Sequence, residues 1–428
     1  MKKIYKYETI IIGGGQAGLS VSYYLERAGR NHIVLEQAAQ AANAWRNHRW
    51  DSFTLNTPNW QSQLEGAGIL GKDPDGFLTR DEIVSYFEKY INRNQLPIWY
   101  GAHVLTVKAV GDCYTVETTA GMFLAKNVVV ATGLYQKPRI PRFNGSLSPD
   151  IRQLHSDFYR NPESLPAGAV LVVGSAQSGA QIAEELYQSG RKVYLSVSRS
   201  DRVPRRYRGK DINWWSNVLG LYDRTVDQLK SPREKFGGKP HISGTKGGHT
   251  LNLHQFARDG VTLLGRVTEL DRTTVKLAYD LHENLATADQ FEANLVTRID
   301  SYISKHKLTM PPESLPKLTA GFEQTERDEL DLRKANVRTV IWATGYSFDF
   351  SMVRLPIFDA DGYPIQLRGV TGYPGLYFVG LPWLHNAKSG LLFGVSEDAA
   401  HVASHITERD QFDAPGLAMH TEQLAYER

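Results

Sequence analysis

Apolar positions along this chain fall into short continuous runs that alternate with stretches of helical spacing, the pattern of strands buried in a parallel sheet with helices packed on it. Residues 7–12 form an apolar, β-branched run that predicts a buried strand. It leads straight into Gly13-Gly14-Gly15-Gln16-Ala17-Gly18, then residues 19–28 are spaced as an amphipathic helix. A second apolar run, 32–35, ends at Glu36. The same order recurs downstream. Run 169–173 is followed by Gly174-Ser175-Ala176-Gln177-Ser178-Gly179, a helical stretch 180–189, and a run 192–197 ending in Ser198-Arg199. Two more apolar runs, 127–130 and 339–342, end in Ala131-Thr132-Gly133 and Ala343-Thr344-Gly345-Tyr346. Residues 375–380 predict another strand, and a helix from about 391 to 406 follows it.

This order predicts an α/β protein with two nested Rossmann-like dinucleotide-binding domains. Residues 1–165 and 336–428 form the first, and 166–335 the second. Within the second, residues from about 205 to 335 are a helical insert. There, residues 279–306 place Leu281, Leu285, Ala288, Leu295, Ile299, Tyr302 and Ile303 on one helical face. Such an insert either caps the active site or packs as an ordinary helix of its own domain.

Composition narrows the class. At 428 residues the chain has room for two or three cores, and 41% hydrophobic with 22% charged residues is globular. A formal charge of +3 argues for neither nucleic acid nor an anionic membrane as partner. A single cysteine, Cys113, excludes an intramolecular disulfide and any dithiol redox pair. No apolar run approaches the roughly 18 residues of a membrane helix, and no signal core follows Met1-Lys2-Lys3, so a cytoplasmic protein is expected.

The two glycine-rich turns carry the chemistry. Gly13 permits the tight turn, Gly15 lets a pyrophosphate approach the backbone, and Gly18 lets helix and strand pack closely. The helix N-terminus adds free N–H groups and positive dipole. Glu36 can accept hydrogen bonds from ribose hydroxyls and repels a 2′-phosphate, so this site suits FAD or NAD. In the second copy Ala176 replaces the middle glycine and Ser198-Arg199 replaces the acid, the substitution that admits the 2′-phosphate of NADPH. Arg202, Arg205 and Arg206 read as a solvated basic loop.

Three imitations are set aside. Gly66 to Lys72 resembles a phosphate-binding loop, but Asp73 stands where a magnesium-binding Ser or Thr belongs. His249 and His254 lie off the spacing of two metal ligands on one helix face, and no metal is expected. Asn144-Gly145-Ser146 is a glycosylation triplet without secretory context.

Further segments make the pattern recognisable: Arg49-Trp50-Asp51-Ser52-Phe53 with Leu55 and Thr57-Pro58, His155-Ser156-Asp157-Phe158-Tyr159, and Trp383-Leu384-His385 with Ser389-Gly390-Leu391-Leu392. With the glycines, these resemble the class B flavin-dependent monooxygenases, the group of the flavin-containing monooxygenases and the plant indole-pyruvate enzymes. Tyr159 stands where Baeyer–Villiger members carry Trp, which disfavours that activity.

The resemblance implies FAD in the first site and NADPH in the second. NADPH would reduce the flavin, dioxygen would give a C4a-hydroperoxyflavin, and one oxygen atom would pass to a nucleophilic N, S or activated C of a small organic substrate. FAD would contact Gly13, Gly15, Gln16, Ala17, Gly18, Glu36, Gln37, Trp45, Arg46, Thr57, Pro58 and Val104. It would also contact Ala131, Thr132, Gly133, Gly380, Ser389, Gly390 and Leu391. NADPH would contact Gly174, Ser175, Ala176, Gln177, Ser178, Gly179, Ser198 and Arg199, with Ala343, Thr344 and Gly345 turning near a bound dinucleotide. Asn59 is the candidate to touch the flavin or the nicotinamide amide, against a turn-capping role. His385 is a candidate base near the flavin, against a structural one. His155 and Tyr159 are expected to organise the linker. An NAD(P)H oxidase or electron-donating reductase, and a non-catalytic redox sensor, stay open as alternatives, as does a homodimer.

Overall fold

The computed structural model describes residues 3–68, 71, 73–143, 147–237 and 240–412. Lys72 of the phosphate-loop imitation and the Asn144–Ser146 triplet therefore lie outside the described residues. Strand β1 (Ile4–Ile12) lies at the centre of the first sheet because its residues are apolar toward both faces. Ile11 joins the core on one side, while Ile10 and Ile12 join the core on the other. In order across the sheet run the Leu376–Phe378 strand, β6 (Gly121–Val130), β1, β2 (His32–Glu36) and β3 (Ile98–Tyr100), all parallel. An antiparallel ladder of β4 (Val104–Val110) and β5 (Cys113–Thr118) continues from the first half of β6.

The α-helices are, in chain order, α1 (Gln16–Arg27), α2 (Asn43–Arg46), α3 (Arg80–Asn94), α4 (Gln177–Gln188), α5 (Ile212–Val218), α6 (Leu253–Arg258), α7 (Leu281–Lys305) and α8 (Val395–Phe412). Helix α1 packs between the sheet and α8, so the last helix closes over the first. Thr79 begins α3 with a reciprocal capping box to Glu82.

The second sheet, parallel throughout, orders Thr262–Leu264, Val193–Ser196, Ala169–Val173, Val337–Trp342 and Arg152–His155. All of it lies in sequence between β6 and Leu376–Phe378, so one nucleotide fold is inserted in the other. Its bounds differ from the expected 166–335. The strands at 152–155 and 337–342 hydrogen-bond into the second sheet, one on entering it and one on leaving. A two-residue pairing of Lys137–Pro138 with Tyr346–Ser347 ties the two connecting segments together. Helix α7 buries Leu281, Leu285, Ala288 and Ile299 on the expected face. No helix among the described residues is long and apolar enough to cross a membrane.

Candidate functional site

The first turn is built by contacts that leave no room for side chains. A Cβ on Gly13 would sit 2.6 Å from the carbonyl oxygen of Ala131, and one on Gly18 would sit 1.9 Å from that of Gly13. Gly15, by contrast, faces open space, with nothing within 4 Å of a Cβ placed there. The turn is thus closed behind by β6 and open in front at the N-terminus of α1, the shape a pyrophosphate needs. Glu36 is buried, and its carboxylate accepts the N–H groups of Gly14 and Ala38, both at 2.8 Å. One N–H on each oxygen leaves lone pairs for a ribose hydroxyl. Beside it Gln37 engages His103 at 3.0 Å, and Ala102 donates to the Glu36 carbonyl, which brings buried Val104 to this edge.

The C-terminal segment closes the same site. Gly380, at φ +83, lies so near Ala17 that a Cβ there would stand 2.4 Å from it. The side-chain amide of Gln16 donates to the Gly390 carbonyl at 3.0 Å. Ser389 is fully buried, and its Oγ accepts the N–H groups of His385 and Asn386, each at 3.0 Å. That fixes the turn leading to Leu391. The Thr132 hydroxyl accepts Gln136 at 2.9 Å, beside Gly133 at φ +76.

The second turn repeats the geometry. A Cβ on Gly174 would meet the Ala343 carbonyl oxygen at 2.6 Å, and one on Gly179 the Gly174 carbonyl oxygen at 1.8 Å. Thr344 and Gly345 continue from Ala343 as linker contacts, with Thr344 O accepting Arg139 Nε at 3.0 Å. In place of a carboxylate, the Ser175 hydroxyl accepts the Ser198 N–H at 3.2 Å and donates to the Ser198 carbonyl at 3.1 Å. Arg199 is exposed at the strand end and forms no ion pair among the described residues. The Gln177 carboxamide is taken up by both main-chain groups of Ile242, at 2.6 and 3.1 Å, which leaves its backbone and those of Ala176 and Ser178 facing the turn.

The reading of Arg202 and Arg205 as part of a solvated loop is corrected, whereas Arg206 is exposed as expected. Arg202 is buried between Asp289 and Glu292, each 2.7 Å away. Arg205 is buried, donates to the Asn56 carbonyl at 2.7 Å and pairs with Asp211 at 2.5 Å. Arg206 donates to the carbonyls of Gly247 and Gly248. Arg202 and Arg205 are thus occupied by carboxylates, whereas Arg199 forms no ion pair among the described residues.

Residues 45–62 run between the two folds. Trp45 packs on Phe53 and Phe87, and Arg46 pairs with Glu88 at 2.6 Å. The Thr57 hydroxyl bonds Ser62 at 2.5 Å, next to buried Pro58. Asn59 turns away from this line. Its amide nitrogen donates to the Asp73 carbonyl at 2.9 Å and packs on Gly71 and Gly76, which holds that turn, while its Oδ1 is buried without a partner among the described residues. The imidazole of His385 forms no hydrogen bond among the described residues. Its main chain accepts Val226 N–H at 2.9 Å, so the insert reaches the C-terminal segment.

Other residues of the site escaped sequence reasoning. Arg49 is buried with its guanidinium over Trp45, Phe53 and Tyr135, at 5.3, 5.6 and 4.8 Å. His48 and Tyr346 both bond Asp157, at 2.7 and 2.8 Å. Burial opposes ionisation there, but these two partners outweigh it and hold the Asp157 carboxyl below its usual range. His155 is fully buried, bonds the Gly345 carbonyl at 3.0 Å and accepts the Asp157 N–H, while Tyr159 donates to Glu185 at 2.7 Å. Glu185 carries no motif spacing. Arg49, Asp157 and Tyr346 stood in recognised segments, and those positions were the available signal.

Comparisons with known proteins bear directly on this geometry. Residues 10–214 match the pyridine nucleotide-disulphide oxidoreductase family model. A CzcO-like oxidoreductase of Geobacillus kaustophilus is 33% identical over 93% of this chain and 98% of its own. This chain belongs to the CzcO-like oxidoreductases. Like other flavin-monooxygenase-like proteins, this CzcO-like chain aligns with a probable indole-3-pyruvate monooxygenase, YUCCA3 of Arabidopsis thaliana, at 26% identity over 94% of the chain and 86% of the relative. A flavin-containing monooxygenase from Stenotrophomonas maltophilia shares the fold, with a TM-score of 0.65 at 21% identity, covering 95% of this chain and 99% of the other. The CzcO-like chain is an oxidoreductase of two-dinucleotide-binding flavoprotein architecture.

Proposed function

We propose that this protein is an FAD-dependent, NADPH-consuming monooxygenase of small organic molecules. The overall change is substrate, O2, NADPH and a proton going to oxygenated substrate, water and NADP⁺. The observation that carries the reading is the pair of matched turns, one bearing a buried carboxylate at the ribose position and the other Ser198 with an unpaired Arg199. The open face at Gly15 fits a flavin dinucleotide, held by the main chain of residues 13–18, by Glu36 and by the Gly380–Leu391 segment. The chemistry supplied by bound FAD is acceptance of hydride from the nicotinamide and activation of dioxygen, with the oxygen delivered to nucleophilic N, S or activated C. The chain's own part is positional. Gln16 fixes the C-terminal segment against the first turn, and Arg49 stands as a buried cation among aromatic rings. The linker network around Asp157 sets the two folds relative to each other. A single cysteine leaves no dithiol to receive the electrons.

Reduction by NADPH and by NADH, with peroxide counted against nicotinamide consumed, tests this. A substrate that raises NADPH consumption while lowering peroxide per NADPH supports the reading. Stoichiometric peroxide with every organic nucleophile offered would leave an oxidase.

A further inference from the structure

A cleft of about 420 Å³ opens between the 60–68 segment and the turn into α8. That size takes a small organic molecule. Its wall is formed by residues that follow Thr57-Pro58 in the chain, by Lys388, Phe393 and Ser396 around the 389–391 segment, and by Asn217 of the insert.

Its chemistry is distinctive. Gln61 stands on the wall, 6% exposed, and both its amide nitrogen and its amide oxygen are buried without a hydrogen-bond partner. An amide left unpaired at both ends is costly, so the position calls for a ligand with a donor and an acceptor. Lys388 is already neutralised, its ammonium 2.8 Å from Asp223 and 2.6 Å from Glu397. Glu65 also lines the cleft, while Asp223 and Glu397 are not among its lining residues and act on it through Lys388, whose single charge they more than cancel. Trp60 and Phe393 add aromatic faces, Phe393 braced edge-on by Tyr222 with ring centres 5.0 Å apart.

We infer that this cleft is the organic-substrate site and that its occupant is a small organic cation carrying a hydrogen-bonding oxygen. Glu65 and the aromatic rings of Trp60 and Phe393 take the cation. Gln61 accepts an ammonium N–H at Oε1 and donates from Nε2 to the ligand oxygen. Naming the occupant the substrate rests on the monooxygenase reading; the binding chemistry does not.

Equilibrium binding to the flavin-loaded protein tests it with three probes of one length: N-acetyl-1,4-diaminobutane, n-heptylamine and 4-acetamidobutanoate. The amide-bearing cation should bind roughly tenfold tighter than the plain amine, and the anion should not bind measurably. Gln61→Leu should erase the preference between the two cations, and Glu65→Gln should weaken both, with flavin content and melting temperature unchanged in each variant. Equal or tighter binding of the anion would overturn the inference, and so would an intact preference in Gln61→Leu. Loss of flavin from Gln61→Leu would also overturn it, by giving the amide to the cofactor. Probes that fail to bind a protein that still holds oxygen on its flavin would sink the cleft assignment alone. Probes that bind a protein producing only peroxide would leave the cation site and sink the reaction.

Discussion

The side-chain amide of Gln16 donates to the carbonyl oxygen of Gly390 at 3.0 Å, joining positions 374 residues apart. This bond fastens the last flavin-side segment to the first glycine turn. Exchanging Gln16 for Met keeps the length and removes the donor. It should destabilise the flavin-free protein by about 1 kcal/mol, the worth of one ordinary hydrogen bond, and weaken FAD retention by up to about fivefold as the segment loosens. Dialysis against apo-protein measures it.

Gly15 and Gly18 should behave oppositely. A methyl at Gly18 meets the Gly13 carbonyl at 1.9 Å, so Gly18→Ala should cost about 3 kcal/mol of stability or prevent folding. A methyl at Gly15 meets nothing and its backbone is extended, so Gly15→Ala should fold normally and lose flavin. Thermal melts with and without FAD separate the two.

How much of this was legible in the sequence depends on how local each determinant is. The turns, Glu36 and α7 were readable because a few adjacent residues specify them. Arg202 was not, because its partners lie about 90 residues away on α7. The direction of Asn59 was hidden because the 73–76 turn decides it. Helix α8 begins at Val395, four residues later than its pattern begins, because Gly394 is pressed against the Lys388 carbonyl in a turn. Which sheet the strands at 152–155 and 337–342 join is settled by long-range pairing, which periodicity does not encode. Gln61 sat in a polar run with no spacing to distinguish it.

Arg199, exposed at the end of its strand, forms no ion pair among the described residues, and the proposed function puts it at the NADPH 2′-phosphate. Arg199→Ala should weaken NADPH roughly 10- to 100-fold and barely affect NADH, from the loss of charge-assisted bonds to a 2′-phosphate. Titration of each nicotinamide checks it, and an equal loss for both would remove Arg199 from that site.

His249 bonds Glu184 at 2.7 Å, where the loop before α6 docks on α4. That bond, despite partial burial, raises the imidazole above its ordinary 6.5. A raised folded value means the contribution is whole below pH 6.5 and is lost as pH climbs through the folded value. His249→Ala should therefore cost more at pH 6 than at pH 9. The difference should stay under about 1 kcal/mol because the imidazole is about a third exposed. Denaturant melts at the two pH values measure it.

The central claim is oxygen transfer, and rapid mixing tests it most directly. The flavin-loaded protein is reduced with NADPH and then mixed with oxygenated buffer while the flavin spectrum is followed. An absorbing species distinct from oxidised and reduced flavin, persisting for seconds or longer with NADP⁺ bound, is the predicted result. Immediate return of the oxidised spectrum with one peroxide per NADPH, unchanged by any added nucleophile, would contradict it.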